Sequence, residues 1–353
     1  MSDYSKQLDA ENERKIIEIG RSMPPFAKLY FDDAKRSKLS RTRLEYARNL
    51  RGFFVWMKTL PRFENVDLNT VSASVMDSLT FEDFEDYKAS IEFSARKDSN
   101  GNNLLSENTT VARKLSALRS FMKFYYMIGA IKNNLSLFIS MPKIAEKNII
   151  ALDPSEVDSL IDTISSGYGL TEKQKKQQYK TIKRDTAIVL TLLGTGIRVS
   201  ELVGLDLGSV DFNNGRLLIT LKGGNDGYSY FGSQVEFVLY DYINSGRDLL
   251  SPLPDEKALF LSTQHRRITV RSLELIVKKY TSLSGISGAD KITPHKLRAT
   301  YGTHLYEQSG DIKLVATSLH HKSVETTSKH YVKDSDEHHR MVVDYTEEMF
   351  NQK

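Results

Sequence analysis

The sequence predicts a mainly α-helical protein with two domains and one small antiparallel β-sheet. Apolar residues recur at helical spacing along most of the chain. One stretch, residues 210–240, instead alternates apolar and polar residues around Asn-Gly and Gly-Gly turns, which is the pattern of antiparallel strands. Residues 140–152 contain a proline and mixed charge without a clear period. We therefore expect a helical domain over 1–141, a linker over 142–152 and a second domain over 153–353.

Length and composition limit the class of protein. The 353 residues exceed one typical domain and fit two, and a hydrophobic share of 40% is enough for packed cores. The absence of cysteine excludes disulfides, thiolate metal sites and cysteine nucleophiles. No apolar run reaches the ~18 residues of a membrane span, and the polar N-terminus lacks the apolar core of a secretory signal. We expect a soluble cytoplasmic protein, whose net charge of +4 leans only mildly toward polyanions.

The first domain is expected to be all helical. Ser40 is predicted to cap one helix because its hydroxyl precedes an apolar stripe, and Thr80 is predicted to cap another that has acids in its first turn. A polar loop is expected over 97–103. The predicted helices lie over 4–21, from Pro24-Pro25 onward, from Ser40 to Met57, over 79–91 and over 106–131.

Two of these helices carry basic residues with few balancing acids. Such a row is either an ordinary solvated face or a surface that contacts the phosphates of a nucleic acid. On the helix that starts near Ser40, the side opposite the apolar stripe holds Arg41, Arg43, Arg48 and Arg51. Along the helix over 106–131 lie Arg113, Lys114, Arg119 and Lys123. We expect both rows to bind DNA phosphates.

The second domain is expected to combine helices with the small sheet. Asp153-Pro154 starts a helix, because proline suits the first helical turn. A buried helix over 185–202 is expected to break at Gly194 and Gly196. The strands follow within 210–240. Other helical segments are predicted over 272–283, 295–308, 311–319 and 337–350, and the basic segment 172–184 is an exposed loop or a helix start.

The stretch 293–331 concentrates groups that suit phosphate chemistry. It places His295 and Arg298 one helical turn apart, followed by the pair His320-His321 and by a tyrosine. Phosphodiester cleavage without a metal needs a nucleophile, positive charge for the non-bridging oxygens and an acid for the leaving oxygen. The chain lacks the sequence of an ATP-binding phosphate loop and a cysteine-histidine or carboxylate ligand set for a metal. We therefore expect no metal and no other cofactor.

Four sequence boxes resemble those of the tyrosine recombinases, also called the integrase family, and the resemblance covers nearly the whole chain. Any one box alone would be a weak signal, whereas four in the family's order are specific. They are TGIRVSEL (195–202) for the first arginine, TLKGG (220–224) for the hairpin lysine, TPHKLRAT (293–300) for the HxxR motif, and LHHKS with TTSKHY (319–331) for the second histidine and the tyrosine. The resemblance implies a two-domain clamp on DNA, with a helical core-binding domain and a catalytic domain.

The resemblance also implies how the phosphate is held. Arg198 and Arg298 would clamp the scissile phosphate, for which bidentate and permanently charged guanidinium groups are suited. Glu201 lies one helical turn after Arg198 and would brace this arginine or the nearby backbone. His321 would donate a hydrogen bond to the phosphate.

The remaining implied roles concern protons and the nucleophile. His295 would act as proton acceptor or hydrogen-bond partner, and Lys222 at the hairpin tip would protonate the departing 5′ oxygen. Tyr331 would form a 3′-phosphotyrosyl bond, which a 5′ hydroxyl of the partner strand later attacks. Because this bond conserves the energy of the phosphodiester, the resemblance implies no cofactor.

The chain departs from the family pattern at several positions. His320 stands where the family usually has glycine, and the interval from His321 to the tyrosine is one residue longer than usual. Ala299 follows the second arginine, where histidine or arginine is common. Tyr345 is the alternative nucleophile. A metal site formed by His320-His321 with His338-His339 is a further alternative, which no carboxylate partner supports.

The resemblance is strongest to the Xer-type site-specific recombinases, which resolve chromosome dimers through a Holliday junction. It implies a homotetramer on two copies of a specific double-stranded DNA site, with the helix over 337–350 docked on a neighbour, a licensing partner protein and a location at the nucleoid. An integrase of a phage or conjugative element is the alternative. A catalytically silent DNA-binding relative and a type IB topoisomerase-like enzyme are two further alternatives.

Overall fold

The computed structural model describes residues 3–93, 96–97, 103–144, 150–221, 223–321 and 323–331. The chain divides into two compact units, one over residues 3–146 and one over residues 147–353, with residues 1–2 grouped with the second. Within the described ranges, no helix is both long enough and apolar enough to cross a membrane. The structure is mainly helical and contains one small three-stranded sheet, so the predicted fold class is confirmed.

The first unit consists almost wholly of helices. The two-residue strands β1 (Arg96–Lys97) and β2 (Asn103–Leu104) form a short antiparallel pair. The expectation of an all-helical first domain is wrong in this detail, and most of the loop predicted over 97–103 lies outside the described residues. The helices are α1 (Asp3–Gly20), α2 (Ala27–Ala34), α3 (Ser40–Met57), α4 (Pro61–Glu64), α5 (Phe81–Glu92) and α6 (Asn108–Met127), with 3₁₀ turns at Ala73–Ser78 and Leu135–Leu137.

Aromatic side chains between α3 and α6 form the core of this unit. Phe54 and Phe121 are buried, and their ring centroids lie 5.8 Å apart in an edge-to-face arrangement. The hydroxyl of Tyr125 donates a hydrogen bond to the backbone carbonyl of Phe26, which ties α6 to the turn before α2. Each of the two long helices buries one apolar face, which agrees with the spacing of their apolar residues.

Of the two predicted helix caps in this unit, one is confirmed and one is wrong. Thr80 caps α5 as predicted: its side chain accepts from the backbone N–H of Asp83, and the Asp83 carboxylate accepts from the backbone N–H of Thr80. Ser40 is not a cap, because Leu39 occupies the N-cap position of α3. The hydroxyl of Ser40 instead donates to Asp9 of α1 at 2.5 Å. Ser40 is therefore the first residue of α3, and its side chain links α3 to α1 instead of capping the helix.

The second unit places the sheet among helices. Asp153 caps the first of these helices through its contact with Glu156, and Pro154 occupies the first turn, as predicted. The helices are α7 (Pro154–Ser166), α8 (Glu172–Gln178), α9 (Ile182–Thr195), α10 (Val199–Val203), α11 (Ser233–Asp241), α12 (Val270–Leu283), α13 (Pro294–Ser309), α14 (Ile312–Ser318) and α15 (Val324–Tyr331), with 3₁₀ turns at Leu207–Ser209, Asp248–Leu250 and Ala289–Lys291 and a π-turn at Tyr242–Gly246.

The sheet is antiparallel and has the order β3-β4-β5, from Val210–Asp211, Arg216–Thr220 and Asp226–Tyr230. Opposite residues include Leu218 and Tyr228 in the middle of the hairpin that β4 and β5 form. The strand prediction is correct up to Tyr230, whereas residues 233–240 are helical in α11. Val235 and Leu239 are buried and Phe237 is exposed, so this segment buries residues four apart.

Helix α9 forms the centre of the second unit, packed against α11 and α13. Gly194 lies inside this helix and does not break it, contrary to the prediction. A β-carbon at Gly194 would lie 2.5 Å from Cγ2 of Val235, so the absent side chain allows α11 to approach closely. Gly196 follows the last helical residue in a left-handed conformation and ends the helix, as predicted.

A buried ion pair lies near the start of α9. The Arg184 guanidinium contacts Asp185 Oδ1 at 2.7 Å and donates to the Leu261 carbonyl at 2.8 Å. The Tyr280 hydroxyl of α12 donates to the other carboxylate oxygen of Asp185 at 2.9 Å. Because each of these contacts satisfies a buried polar atom, the network joins α9 to α12 without leaving an uncompensated charge.

Candidate active site

The site is built around the turn that follows α9. Gly196 has φ of 62°, in the left-handed region where side chains are disfavoured. A β-carbon there would lie 2.3 Å from Cδ1 of Tyr301 and 3.0 Å from Cδ2 of Leu319. Only glycine therefore fits this position without displacing its neighbours. The tight turn brings the next residues of the chain close to α13 and to the end of α14.

Arg198 is the N-cap residue of α10 and is held by Glu201. One carboxylate oxygen of Glu201 accepts from the backbone N–H of Arg198 at 2.7 Å, and the other accepts from Nη1 at 2.7 Å. The Glu201 side chain is only 3% exposed, whereas that of Arg198 is 28% exposed. The predicted contact between these two residues is confirmed. It fixes the guanidinium from the inside and leaves part of it open to solvent.

Arg298 lies on α13, one turn after the helix begins, and is buried. Its Nη1 donates to the backbone carbonyl of Gly196 at 2.6 Å, and its Nη2 donates to the backbone carbonyl of Leu319. This arginine therefore connects two segments that are more than a hundred positions apart in the sequence. The rigid planar guanidinium is suited to bridging two carbonyls in this way.

Both arginines meet at the turn that ends α14. The Arg298 guanidinium donates to the carbonyl of Leu319, and Nη2 of Arg198 donates to the next carbonyl, that of His320, at 3.3 Å. Two guanidinium groups are thus held by successive peptide units. The described structure therefore brings two positively charged groups to one turn.

His321 connects the same turn to the next helix. Its Nδ1 lies 2.8 Å from the hydroxyl of Thr327, which is fully buried on α15. The contact holds the ring and sets the start of α15 relative to the arginines. Tyr331 is the last residue of α15, and its side chain lies outside the described part of the structure. The helix therefore leads from the arginine-bearing turn to the predicted nucleophile.

Of the other predicted site residues, the structure describes His295 but not Lys222 or Tyr345. His295 lies in the first turn of α13 and is exposed, one turn before Arg298 on the same helix. Lys222 falls between β4 and β5 but outside the described residues, as do the alternative nucleophile Tyr345 and the predicted docking helix over 337–350. Their roles stay predictions.

The predicted DNA-contacting arginine Arg43 has a different environment from its neighbours. It is 7% exposed, and its guanidinium pairs with Glu13 of α1 while Nε donates to the Lys38 carbonyl. The prediction that Arg43 lies on an open basic face is therefore wrong. Its partner is thirty positions away in the sequence, so the spacing on α3 alone could not reveal this pair.

Most other members of the two basic rows are exposed. Arg41 and Arg51 are exposed on α3, and Arg48 is exposed and pairs with Glu45. An exposed pair of this kind contributes little to stability and is readily exchanged for another anion. On α6, Arg113, Arg119 and Lys123 are exposed, whereas Lys114 is half-buried.

Sequence reasoning missed four contributors to the site. The backbone carbonyls of Gly196 and Leu319 hold Arg298, the backbone carbonyl of His320 holds Arg198, and the Thr327 hydroxyl contacts His321. Carbonyls carry no sequence signal, because every residue has one. Thr327 belongs to the Thr-Thr-Ser-Lys-His run, and its position six residues after a histidine was the signal that could have identified it.

The chain is similar to a known family and to several named proteins. The model of the phage integrase family matches residues 151–338. A tyrosine recombinase XerC of Thermodesulfovibrio yellowstonii is 32% identical over 241 residues, which cover 65% of this chain and 76% of that protein. A tyrosine recombinase XerC of Pelobacter propionicus is 29% identical over 305 residues, which cover 84% of this chain and 86% of that protein.

Solved structures share the fold. The XerH site-specific recombinase bound to palindromic difH substrate, in a post-cleavage complex, matches with a TM-score of 0.61 and 18% identity over 90% of this chain and 84% of that chain. A lambda integrase dimer bound to a COC′ core site matches with a TM-score of 0.60 and 15% identity over 88% of this chain and 95% of that chain. At these identities the likeness concerns the fold alone.

The chain belongs to the phage integrase family. It is a tyrosine site-specific recombinase, an enzyme that transfers DNA strands.

Proposed function

We propose that this enzyme carries out Xer-type site-specific recombination, as in chromosome dimer resolution, through a 3′-phosphotyrosyl intermediate and a Holliday junction. The observation that carries the proposal is the meeting of Arg198 and Arg298 on the carbonyls of residues 319 and 320. The turn formed by these residues leads directly into α15, which ends at Tyr331. The relatives named XerC, one of which aligns over 84% of this chain, favour the Xer role over that of a mobile-element integrase.

The two arginines would neutralise the scissile phosphate. A phosphodiester has one negative charge, and the transition state concentrates charge on its non-bridging oxygens. Arg198 is partly exposed and braced from behind by Glu201, so its outer N–H groups would face the incoming phosphate. Arg298 is buried and would contact the phosphate from beneath the surface of the site. His321 would donate a further hydrogen bond to the phosphate.

The chemical step would exchange one phosphodiester bond for another. The Tyr331 hydroxyl oxygen would attack phosphorus while its proton passes to His295. The bond from phosphorus to the 5′ oxygen would break, and Lys222 would give that oxygen a proton to release a 5′ hydroxyl. Attack by the 5′ hydroxyl of another strand would reverse these transfers and free Tyr331. No external energy source is required, because the number of phosphoester bonds stays constant.

Positive charge is also needed to activate the nucleophile. A tyrosine hydroxyl has an ordinary pKa near 10, so ionising it at pH 7 costs roughly 4 kcal/mol in water. Guanidinium groups near the developing phenolate would offset part of this cost. The same groups that bind the phosphate would thus lower the barrier for attack by Tyr331.

The first unit would hold the DNA through its two basic rows. The exposed members on α3 and α6 would contact phosphates without reading base sequence. We propose that four protomers assemble on two copies of a specific site and that residues 337–350 dock on a neighbouring protomer. This assembly would place the protein at the nucleoid in the cytoplasm, where a partner protein would license strand exchange.

The experiment that tests the proposal is recovery of DNA that stays attached to the protein after full denaturation in its native host. Wild type, Tyr331→Phe and Tyr345→Phe would be compared by sequencing the attached fragments. We expect enrichment at one locus for wild type and for Tyr345→Phe, and loss of this enrichment for Tyr331→Phe, because the mutant lacks the attacking oxygen. Enrichment that survives in Tyr331→Phe and disappears in Tyr345→Phe would refute the nucleophile assignment.

The position of the locus distinguishes the candidate functions. A locus near the replication terminus supports dimer resolution, whereas a locus beside the protein's own gene supports a mobile-element integrase. Equal background recovery for all three proteins would support a silent DNA-binding relative. Relaxation of supercoiled plasmid that lacks the locus would support a topoisomerase-like enzyme instead.

A further inference from the structure

His320 occupies a backbone position that favours glycine. It follows the last turn of α14 with φ of 49°, in the left-handed region. The N–H of His320 donates to the Thr317 carbonyl and the N–H of His321 donates to the Ala316 carbonyl, at 3.0 and 2.9 Å. This pair of hydrogen bonds closes a helix C-terminus at which glycine is preferred. A histidine with a β-carbon is therefore held there against its local preference.

The imidazole of His320 faces the interior of the site. The side chain is half-buried, and Nε2 is completely enclosed yet has no hydrogen-bond partner among the described residues. An enclosed nitrogen cannot contact DNA directly. A buried polar atom without a partner normally costs stability, and this applies to Nε2.

The charged groups around this ring are those that hold the phosphate. Burial lowers the pKa of His320 below its ordinary value, and Arg198 and Arg298 lower it further, while the Glu201 carboxylate and a hydrogen bond between the ring and the Tyr228 backbone raise it. The ring is therefore neutral at neutral pH. It lies among α10, α13 and the strand β5, which is one arm of the hairpin that carries Lys222 in the sequence.

We propose that His320 is a positioning residue for strand cleavage, whose neutral ring fills the space between β5 and the Arg198–Glu201 pair and keeps the Arg198 guanidinium aimed at the phosphate. Its own carbonyl holds Nη2 of Arg198, so the backbone and the side chain of one residue act on the same guanidinium. The proposal rests on the proposed function, because it assigns a role in the same cleavage step.

Protonation of the ring would disturb this arrangement. The groups that face it are Glu201, Arg198 and Arg298, together with the Tyr228 backbone of β5. A charged imidazolium would attract the Glu201 carboxylate, which now accepts from Nη1 of Arg198, and would repel both guanidinium groups. Cleavage is expected to decline for this reason as the pH falls below the ordinary histidine range.

The test separates stability from cleavage in a matched set of variants. His320→Gly removes the ring and relieves the backbone. Ser251→Gly relieves a left-handed residue with φ of 47° that belongs to no part of the proposed site. Each is measured for Tm and for single-turnover cleavage of a nicked duplex that carries the locus recovered from the native host. A nick beside the scissile phosphate lets the short fragment diffuse away and traps the covalent complex.

The expected results differ between the two variants. Both should raise Tm, by about 2–4 °C for a unit of this size. His320→Gly should slow cleavage by about tenfold or more while DNA affinity stays within about twofold, because misplaced guanidinium groups affect the reacting geometry more than the binding. Ser251→Gly should cleave like wild type. His320→Asn, which tolerates the left-handed conformation, should recover part of the lost rate.

Two further comparisons decide the proposal. The ratio of the wild-type rate to the His320→Asn rate should fall as the pH is lowered from 8 to 5.5, because only the wild type has an imidazole at position 320 that can be protonated. The Tm advantage of His320→Gly should grow over the same interval, since protons bind the unfolded histidine more tightly than the buried one. Unchanged cleavage in His320→Gly, or a constant rate ratio across this range, would overturn the proposal. Absence of cleavage by wild type would overturn the proposed function and this inference with it.

Discussion

Replacement of Gly196 by alanine is the sharpest test of how the site is built. The β-carbon would lie 2.3 Å from Cδ1 of Tyr301, well inside van der Waals contact, at a residue with φ of 62°. Gly310 at the end of α13 offers a matched control, because it has φ of 64° and no atom within 4 Å of the added carbon. Both substitutions place an alanine in the left-handed conformation, but only the one at Gly196 also brings the new β-carbon too close to a neighbouring side chain.

The magnitudes follow from these two contributions. A left-handed alanine costs about 1–2 kcal/mol, and this cost applies to both Gly196→Ala and Gly310→Ala. Overpacking typically costs a further 1–3 kcal/mol and applies only at Gly196. The gain from a stiffer unfolded chain is the same for both variants and cancels in the comparison. We therefore expect Gly196→Ala to be less stable than Gly310→Ala by about 1–3 kcal/mol.

The assay is urea denaturation followed by far-ultraviolet circular dichroism, with tryptophan fluorescence recorded in parallel. The chain contains a single tryptophan, Trp56 in α3, so the fluorescence reports the first unit only. Neither substitution should change the urea concentration at which the fluorescence changes. Both should lower the urea concentration at which the dichroism signal of the second unit is lost. Equal free energies of unfolding for Gly196→Ala and Gly310→Ala would refute the argument from close packing.

The same substitution should also affect cleavage. The Gly196 carbonyl accepts from Arg298 Nη1 at 2.6 Å, so a displaced turn would move the buried guanidinium. Gly196→Ala should therefore slow single-turnover cleavage by about a hundredfold, the cost of a displacement near 1 Å at a reacting centre. Gly310→Ala should leave the rate unchanged. Loss of cleavage in both variants would mean that the effect arises from the general fold and not from Arg298.

Three further predictions concern charged side chains and their partners. Arg43→Leu should lower the free energy of unfolding by about 1–3 kcal/mol because Glu13 loses its partner, with unchanged DNA affinity in a binding titration. Arg51→Ala should have the opposite profile, with unchanged stability and a salt dependence of binding reduced by about one counterion. Tyr280→Phe removes the hydroxyl that donates to Asp185 Oδ2 and should cost about 1–3 kcal/mol in urea denaturation, with the tryptophan transition unaffected. Unchanged unfolding for Tyr280→Phe, or reduced DNA affinity for Arg43→Leu, would contradict these assignments.

Features that depend on neighbouring residues could be predicted from the sequence. The Thr80 and Asp153 caps each require a side-chain contact only three positions away, and both are present. The strands β4 and β5 follow from alternation around glycine turns. Glu201 was assigned to Arg198 for the same reason, because the partners are one helical turn apart.

Features that depend on distant partners could not be predicted. Arg43 is buried because α1 supplies Glu13, and the spacing of arginines on α3 contains no information about α1. Residues 233–240 alternate in hydrophobicity yet form a helix, because Val235 and Leu239 pack on α9 and Phe237 is left exposed. Tertiary packing determines the structure in both cases, and the local sequence pattern does not contain this information.

The way in which the arginines are held explains why His320 is informative. Carbonyl oxygens of residues 319 and 320 accept from the two guanidinium groups, and glycine would supply the same carbonyl at position 320 without backbone strain. The backbone therefore does not require a histidine. A left-handed β-carbon and an enclosed, unpaired Nε2 both disfavour the side chain in the folded state. The charged groups that act on the pKa of this ring are Arg198, Arg298 and Glu201, which is why we assign the ring a role in positioning the Arg198 guanidinium.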